Sequence, residues 1–334
     1  MITVAVTLSE QCNLNCTYCG VDKLSKKKID VDKFLEEFFH KKSLFPNESF
    51  RIDLHGGEPL IQWDLIKKII DVTKNTPNVS YWMPTNGLLL TQEMVDYLNE
   101  AKVEVSLSFD GLWQDDHRPQ FGNKGSLNKY LEKVPLFKQL HKVKCHTMIY
   151  KGHLNLLENH LYIQKTLGLN PELTIVRDVG VWDDESVETF NRSFTEMVDW
   201  YIDNVNKVEI PNLMREYLGH IILYSSKKIT VNHCGAGETA FNFTDNKMTP
   251  CIRFKSEEVI DKIPKFRNMV ECETCRVKNY CRKGCLYENI QNDGPIKEIC
   301  RMYLHIYDEL TRTVKILKQN EVFRSYLKEA IYES

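Results

Sequence analysis

No stretch of the chain reaches the roughly 18 consecutive apolar residues that a membrane-spanning helix needs. An excess of one charge is missing too. With 44 basic and 46 acidic side chains the net charge is −2, so bulk charge recommends neither a nucleic-acid nor a membrane partner. The opening residues MITVAVTLSEQ lack the basic start and small-residue cleavage site of a secretory signal, and a cytoplasmic location is expected. Alanine is scarce, five of 334 residues, while Lys, Asn and Ile abound, as in proteins from AT-rich bacterial or phage genomes. What is present is ordinary for a globular protein, 42% apolar and 27% charged, with length for about two domains or one barrel with an appendage. Eleven cysteines stand out. A chain this long needs no covalent staples, so a disulfide scaffold is not expected. Ten of the eleven fall into two clusters, which in a reducing compartment points to metal ligation.

Short β-branched or aromatic runs alternate with helical patterns over the first two thirds. The strands are expected at Ile2–Leu8, Arg51–His55, Val79–Met83, Val103–Phe109, Val143–Ile149 and Leu173–Arg177. Stretches with 3.6-residue spacing lie between and after them: Val31–Lys42, Ile61–Lys74, Gln92–Ala101, Leu127–Leu140, Leu154–Leu167 and Glu185–Val205. Six β–α alternations imply a parallel sheet, because parallel neighbours need a crossover. The expected fold is α/β, a partial (β/α)6 TIM-like barrel or a doubly wound sheet, with functional loops at the C-terminal ends of the strands. After Pro211 the alternation stops. A connecting helix, Leu213–Ser225, leads into a small cysteine-rich domain and one final helix, about Met302–Ile331. The expected division is 1–210, 211–232 and 233–334. Bound metal is expected to help hold the last part, which is loop-rich.

Directly after the first strand stands CNLNCTYC, with Cys12, Cys16 and Cys19 spaced x3 and x2. Three thiolates on one tight loop suit three irons of a cubane and leave the fourth iron without a protein ligand. A zinc knuckle is the alternative, but it needs a fourth ligand and no adjacent residue offers one. CxxxCxΦC with Tyr18 as the aromatic resembles the signature of radical S-adenosylmethionine (SAM) enzymes. In that family the amino and carboxylate groups of SAM chelate the open iron. Cleavage of the sulfonium then yields a 5′-deoxyadenosyl radical that abstracts a substrate hydrogen, drawing on an external electron donor such as flavodoxin or ferredoxin.

Further segments match the resemblance. His55-Gly56-Gly57-Glu58-Pro59 is similar to the family's GGEP segment: two glycines let the backbone approach a ligand closely, and Glu58 can accept from the SAM ammonium. Pro84-Thr85-Asn86-Gly87 is similar to its TNG segment. Ser106, Ser108 and Asp110 share one strand face, and Ser108 sits where relatives bind the ribose hydroxyls. Relatives place an arginine some ten residues beyond the Asp-Gly to meet the SAM carboxylate. The nearest match here is Arg118, eight residues on. The resemblance thus implies cofactor contacts from Tyr18, Gly56, Gly57, Glu58, Asn86, Ser108 and Arg118; no side chain is assigned as a catalytic acid or base.

The second cluster reads Cys234-x16-Cys251, Cys272-x2-Cys275-x5-Cys281-x3-Cys285, then x14 to Cys300. Seven soft ligands exceed one tetrahedral site. A two-zinc module is open on spacing alone. Beside the N-terminal triple, the pattern resembles the SPASM extension of peptide-modifying radical enzymes, with Asn246 where those have glycine. Asn tolerates the left-handed conformation better than other non-glycine residues. The resemblance implies a distal cluster on Cys272, Cys275, Cys281 and Cys300. A proximal one lies on Cys234, Cys251 and Cys285, its remaining iron open or held by a group such as His233, Glu238 or water. Three [4Fe–4S] clusters and SAM are the implied cofactors.

The implied activity is radical modification of a peptide or protein by crosslinking, epimerisation or oxidation. Sulfatase maturation fits less well: those enzymes carry an aspartate after the second SPASM cysteine, where this chain has Ile252, and an additional cysteine that positions 235–250 lack. Two alternatives stand. One is radical modification of a nucleoside, a DNA base or another small substrate, which the lack of a peptide-binding domain before the first strand leaves open. The other is a non-catalytic zinc-stabilised binding module. Among the remaining candidates, Cys145 reads as a buried apolar residue, and His55 and His146 as strand-end residues supporting a cavity. Arg177 and Asp178 read as substrate contacts or a salt bridge, and Trp182 with the acidic residues after it as a helix start. Lys23, Lys26, Lys27 and Lys28 read as a solvated face or an anion-attracting patch.

Overall fold

A computed structural model describes residues 1–225, 235–254, 260–267, 269–281 and 283–332. In chain order its main elements are β1 (Ile2–Thr7), α1 (Val31–Leu44), β2 (Phe50–His55), α2 (Trp63–Thr73), β3 (Val79–Thr85), α3 (Gln92–Glu100), β4 (Glu104–Ser108), α4 (Leu127–Phe137) and β5 (Val143–Ile149). There follow α5 (Leu156–Leu167), β6 (Glu172–Ile175), α6 (Asp184–Asn204), α7 (Asn212–Ser225), β7 (Ala240–Thr244), β8 (Lys247–Thr249), α8 (Lys297–Leu317) and α9 (Glu321–Tyr332). Between β8 and α8 the described residues form helical turns of three to six residues, such as Lys278–Cys281 and Leu286–Gln291. The fold is α/β with a parallel, unclosed sheet of the partial-barrel kind.

Contacts divide the chain into two units. The first comprises 1–147, 166–169 and 235–260. Its strands run in the order β5-β4-β3-β2-β1, all parallel, with partners such as Val4 and Ile52, Asp53 and Trp82, and Ser106 and Lys144. The sheet does not end at β1. β7 pairs parallel to β1, and β8 turns back antiparallel on β7. Their connection is the two-residue turn Asp245–Asn246, with φ of 48° and 58°. Hairpin turns of the mirror-image kind need positive φ at both positions, so Asn246 adopts the conformation expected of it, and its Oδ1 accepts from the Asp30 N–H at 2.7 Å.

One helix shows how the outer layer is built. Asp30 caps α1 by accepting from the Asp32 and Lys33 N–H groups. Val31, Phe34, Leu35 and Phe38 then fall on one face and are buried. Phe34 meets Phe243 of β7 at 5.6 Å, and Phe38 meets Phe50 of β2 at 5.8 Å. Fully burying each such ring contributes about 2–3 kcal/mol. Beneath lie Val4, Val6, Ile52, Leu54, Met83, Val105 and Leu107, which are fully buried.

The second unit comprises 148–165, 170–234 and 261–334. Here the Val176 N–H donates to Ile149 O at 3.0 Å beside β6. Trp182 is buried, donating to Val176 O, and Asp183 and Ser186 form a capping box for α6. Trp182 and its acidic neighbours are thus a helix start. Buried residues on α8 recur as Ile299, Met302, Tyr303, Ile306, Leu310, Thr313 and Leu317, and His305 on the same helix reaches α6 through Thr195 at 3.0 Å. The single final helix read from the sequence is two. It breaks at Asn320, whose Oδ1 accepts from Phe323 N–H and restarts the chain as α9.

Candidate functional site

In the first unit, the loop after β1 carries Cys12, Cys16 and Cys19, all half-buried. Three neighbouring segments hold its backbone. From the β2 end, Gly57 N–H donates to Ser9 O and Glu58 N–H to Gln11 O, both at 2.9 Å. From the segment after β4, Pro119 O accepts from Asn15 N–H and His117 O from Thr17 N–H, at 2.7 and 2.9 Å. From the loop itself, Lys23 O accepts from Cys12 N–H. The Lys23 ammonium turns inward, donating to Cys16 O, Cys19 O and Asn15 Oδ1 at 3.0–3.2 Å. Lys23 therefore does not belong to the solvated basic face, whereas Lys26, Lys27 and Lys28 are exposed.

The two glycines matter for this loop. A Cβ on Gly56 would stand 2.7 Å from Ser9 O, and one on Gly57 2.1 Å from Glu10 O. The close approach they permit is to the backbone of the cysteine loop. Glu58 is buried. Its carboxylate accepts from Leu60 N–H at 3.1 Å, Thr85 Oγ1 at 2.7 Å and Asn86 N–H at 2.8 Å. A carboxylate has about four acceptor positions, so one is left uncommitted. Burial raises the Glu58 pKa, and these three donors oppose the rise. Asn86 Nδ2 extends the chain of contacts to Asn13 Oδ1 at 2.7 Å.

Behind the loop stands Asp110, fully buried. Tyr18 OH donates to its Oδ2 at 2.7 Å. Arg118 pairs with it through Nε at 2.9 Å and Nη2 at 3.1 Å. Burial alone would raise the Asp110 carboxyl, but the Arg118 guanidinium and His117 bring it down to about 2. Arg118, itself buried, lies 5.5 Å from the Tyr18 ring centre. The arginine is thus engaged with Asp110 behind the loop. Asp110 has no role in the sequence reading beyond sharing a face with Ser106 and Ser108, because its partner Tyr18 is 92 residues away.

Ser108 is half-buried at the end of β4, opposite His146 on β5. Ser106 is buried with its hydroxyl unsatisfied, as is the Ser9 hydroxyl. His55 lies 5.3 Å from the Trp82 ring, and burial takes it down to about 4. Cys145 is fully buried, an apolar residue as expected.

The donor set fits an iron–sulfur cluster. Burial pushes the Cys12 thiol up to about 12, with Glu58, Cys16 and Cys19 adding to the rise against the Leu14 N–H; burial raises Cys16 as well, against Arg118. The thiols thus feel one another across one loop, and three thiolates on one loop suit the separate irons of a cubane.

In the second unit, Cys272, Cys275, Cys281, Cys285 and Cys300 line one cavity. Burial pushes Cys281 and Cys300 up to about 11, and both feel Cys272 and Cys275. Arg177 and Tyr303 stand in the same wall, so Arg177 faces cysteines where the sequence suggested a substrate or a salt bridge. Cys251 belongs to the first unit, half-buried after β8, and Ile252 beside it is exposed. His233 and Cys234 lie outside the described residues.

Residues 6–158 match the radical SAM superfamily model. A radical SAM cyclopropyl synthase, TigE, of Paramaledivibacter caminithermalis is 27% identical over 154 residues, 41% of this chain and 32% of that protein. A GTP 3′,8-cyclase of Clostridium botulinum is 32% identical over 152 residues, 44% of this chain and 47% of that protein. The chain spans a third to about half the length of these curated relatives. Among solved structures, anSMEcpe with bound AdoMet and the Cp18Cys peptide superposes with a TM-score of 0.75 over 99% of both chains at 16% identity. That likeness is one of fold.

Proposed function

We propose, from the premise that residues 6–158 form a radical SAM domain, that the protein is a radical SAM enzyme that modifies a peptide or protein by abstracting a hydrogen atom. The observation that carries this reading is the cysteine loop, clamped by the GGEP backbone on one side and the Asp110–Arg118 pair on the other. A [4Fe–4S] cluster with SAM supplies an electron, cleavage of a sulfonium, and a carbon radical that takes the hydrogen. Cys12, Cys16 and Cys19 would hold that cluster. Glu58, with one acceptor position uncommitted, would orient the SAM ammonium, while Gly56, Gly57 and Asn86 shape the walls around it. Ser108 would meet the ribose. Arg118 would act through Asp110 and Tyr18, keeping the loop in shape.

Cys272, Cys275, Cys281 and Cys300 are the ligands we assign to a distal auxiliary cluster, on the support of their shared cavity. Cys285, in the same cavity, is left for the proximal cluster that the SPASM resemblance implies. The peptide reading is supported by the whole-length likeness to a fold that binds AdoMet and a peptide in anSMEcpe. Crosslinking, epimerisation and oxidation all remain within it. The second reading, a nucleoside or other small substrate, draws on the GTP 3′,8-cyclase relatives, whose match covers less than half of this chain.

The test is anaerobic purification with iron and sulfide analysis, then incubation with SAM and a flavodoxin- or ferredoxin-type donor. Brown protein that forms 5′-deoxyadenosine is the expected result. A zinc-loaded, colourless protein that leaves SAM intact would overturn the reading. Deuterium transfer into 5′-deoxyadenosine from labelled peptides or labelled nucleosides separates the two substrate classes.

A further inference from the structure

Three cationic side chains line the five-cysteine cavity: Arg177, Lys278 and Lys283. Two of them share one carboxylate. Lys283 donates to Glu273 Oε1 at 2.7 Å, and Lys278 reaches Oε2 of the same residue at 3.3 Å. Arg177 differs. Among the described residues it makes no ion pair with a carboxylate; the charge of the exposed Glu216 reaches it only through space. Its Nη2 donates to the Tyr303 hydroxyl, and its guanidinium lies 5.4 Å from the Tyr303 ring centre. Among the described residues its buried Nε–H has no hydrogen-bond partner. Tyr303 is buried in turn against Tyr217 and Tyr280, with ring centres 5.7 and 5.6 Å away.

An orphaned N–H on a buried cation costs free energy unless something in the site uses it. The group that would use it is negative and sulfur-rich. Reducing an iron–sulfur cluster adds one electron to it, and a fixed positive charge in a low-dielectric wall stabilises the reduced form more than the oxidised one. Net charge and hydrogen bonds to sulfur are the levers that set cluster potentials.

We propose that Arg177 is a redox-tuning residue of the auxiliary centre: oriented by Tyr303, it raises the reduction potential of the cluster housed in the five-cysteine cavity. This rests on the assignment of auxiliary clusters above. Tyr303 is then a positioning residue, and Lys278 and Lys283, which share the Glu273 carboxylate, contribute less to the potential than Arg177.

The test is an EPR-monitored redox titration of the full chain with Cys12, Cys16 and Cys19 replaced by Ala, so that only auxiliary clusters give signal. Arg177→Met should lower one midpoint, changing the oxidised-to-reduced ratio at fixed potential by tenfold or more, which is 59 mV for one electron. Arg177→Lys, which keeps the charge, should retain most of the parent potential. Tyr303→Phe should shift the same midpoint in the same direction by less. Unchanged midpoints in iron-replete Arg177→Met, or equal shifts in the Met and Lys variants, would overturn the proposal. If Arg177→Met fails to hold iron, Tyr303→Phe decides it, and an unshifted midpoint there overturns it. A parent chain without auxiliary iron would instead overturn the assignment of the clusters themselves.

Discussion

The two cysteine regions are held in different ways. Around Cys12, Cys16 and Cys19 the shape is fixed by hydrogen bonds from the segment after β2, the segment after β4 and Lys23 of the loop itself, and these run to backbone groups rather than through the thiols. Around Cys272–Cys285 the described backbone is built of helical turns of three to six residues, with Cys300 added from the first turn of α8, and the feature these share is a wall of thiols. Turns this short have little cooperative stability of their own. The first region is thus a preformed socket. The second resembles small metallo-domains whose folding free energy is largely metal-binding free energy.

The sharpest way to break the comparison is to remove ligands from each side. Replacing Cys12, Cys16 and Cys19 by Ala should abolish SAM cleavage and remove about a third of the iron, one cluster of three, with backbone exchange in 1–147 nearly unchanged. Replacing Cys281 should instead expose amides throughout residues 260–296 to rapid hydrogen exchange. Equal loss of protection in the two regions, measured by mass spectrometry, would remove the distinction.

Next in size is Asp110→Asn. It leaves the buried Arg118 charge without its partner, and breaking such a pair costs about 3–5 kcal/mol. The urea midpoint should fall, and the first cluster should be lost more readily than auxiliary iron. The pH dependence follows from the same pair. Folding lowers the Asp110 pKa to about 2, below its unfolded value, so its stabilisation is present above about pH 4 and is lost as the pH falls through about 2. In Asp110→Asn this acid-sensitive component, of about 2 kcal/mol, should disappear from the stability profile. Persistence of the full acid slope would assign it elsewhere.

How much of this was legible in the sequence follows a physical line. The six β–α alternations were legible because buried parallel strands are continuous apolar runs and their helices repeat every 3.6 residues. The grouping of Cys12, Cys16 and Cys19 on one loop and of Cys272, Cys275, Cys281, Cys285 and Cys300 around one cavity was legible because their spacing is local. Asn246 was readable for the same reason, since a left-handed turn is a property of one residue. β7 was not: Ala240–Thr244 is five residues inside a cysteine-rich stretch, and its reason to be a strand is β1, more than two hundred residues earlier. Lys23 and Asp110 were missed because identity says nothing of direction. A lysine followed by Lys26–Lys28 looks solvated until its ammonium is seen beneath the Cys16 and Cys19 carbonyls. The break at Asn320 was hidden because apolar spacing continues through it into α9.

A smaller perturbation sharpens the idea of a preformed socket. Gly57→Ala puts a methyl 2.1 Å from Glu10 O, a backbone atom, so the loop itself must move. Overpacking of this kind costs about 1–3 kcal/mol. Gly56→Ala, at 2.7 Å from Ser9 O, should cost less, and Gly20→Ala, with nothing within 4 Å, little. Iron occupancy of the first site should fall in that order while auxiliary iron stays constant. A flat series would mean that the glycines are required by something other than the loop.

The smallest effect expected is at Lys23. Its ammonium caps two loop carbonyls and Asn15 Oδ1, but it is only half-buried, so water can replace part of what Lys23→Met removes. Exposed charge-assisted contacts are screened, and a net loss of about 1 kcal/mol is the reasonable scale. Global stability should therefore barely change, while the loop loses the one cation that ties its two ends together. The consequence belongs in kinetics: iron should leave the first site faster under a chelator, by roughly fivefold for 1 kcal/mol, with auxiliary iron released at the parent rate. Lys23→Arg should restore part of the retention, because the guanidinium still donates to carbonyls although its geometry differs. If Lys23→Met releases iron at the parent rate, the loop is held well enough by its backbone bonds alone. If it accelerates loss from both regions equally, Lys23 acts on the whole protein and the socket is not an independent unit.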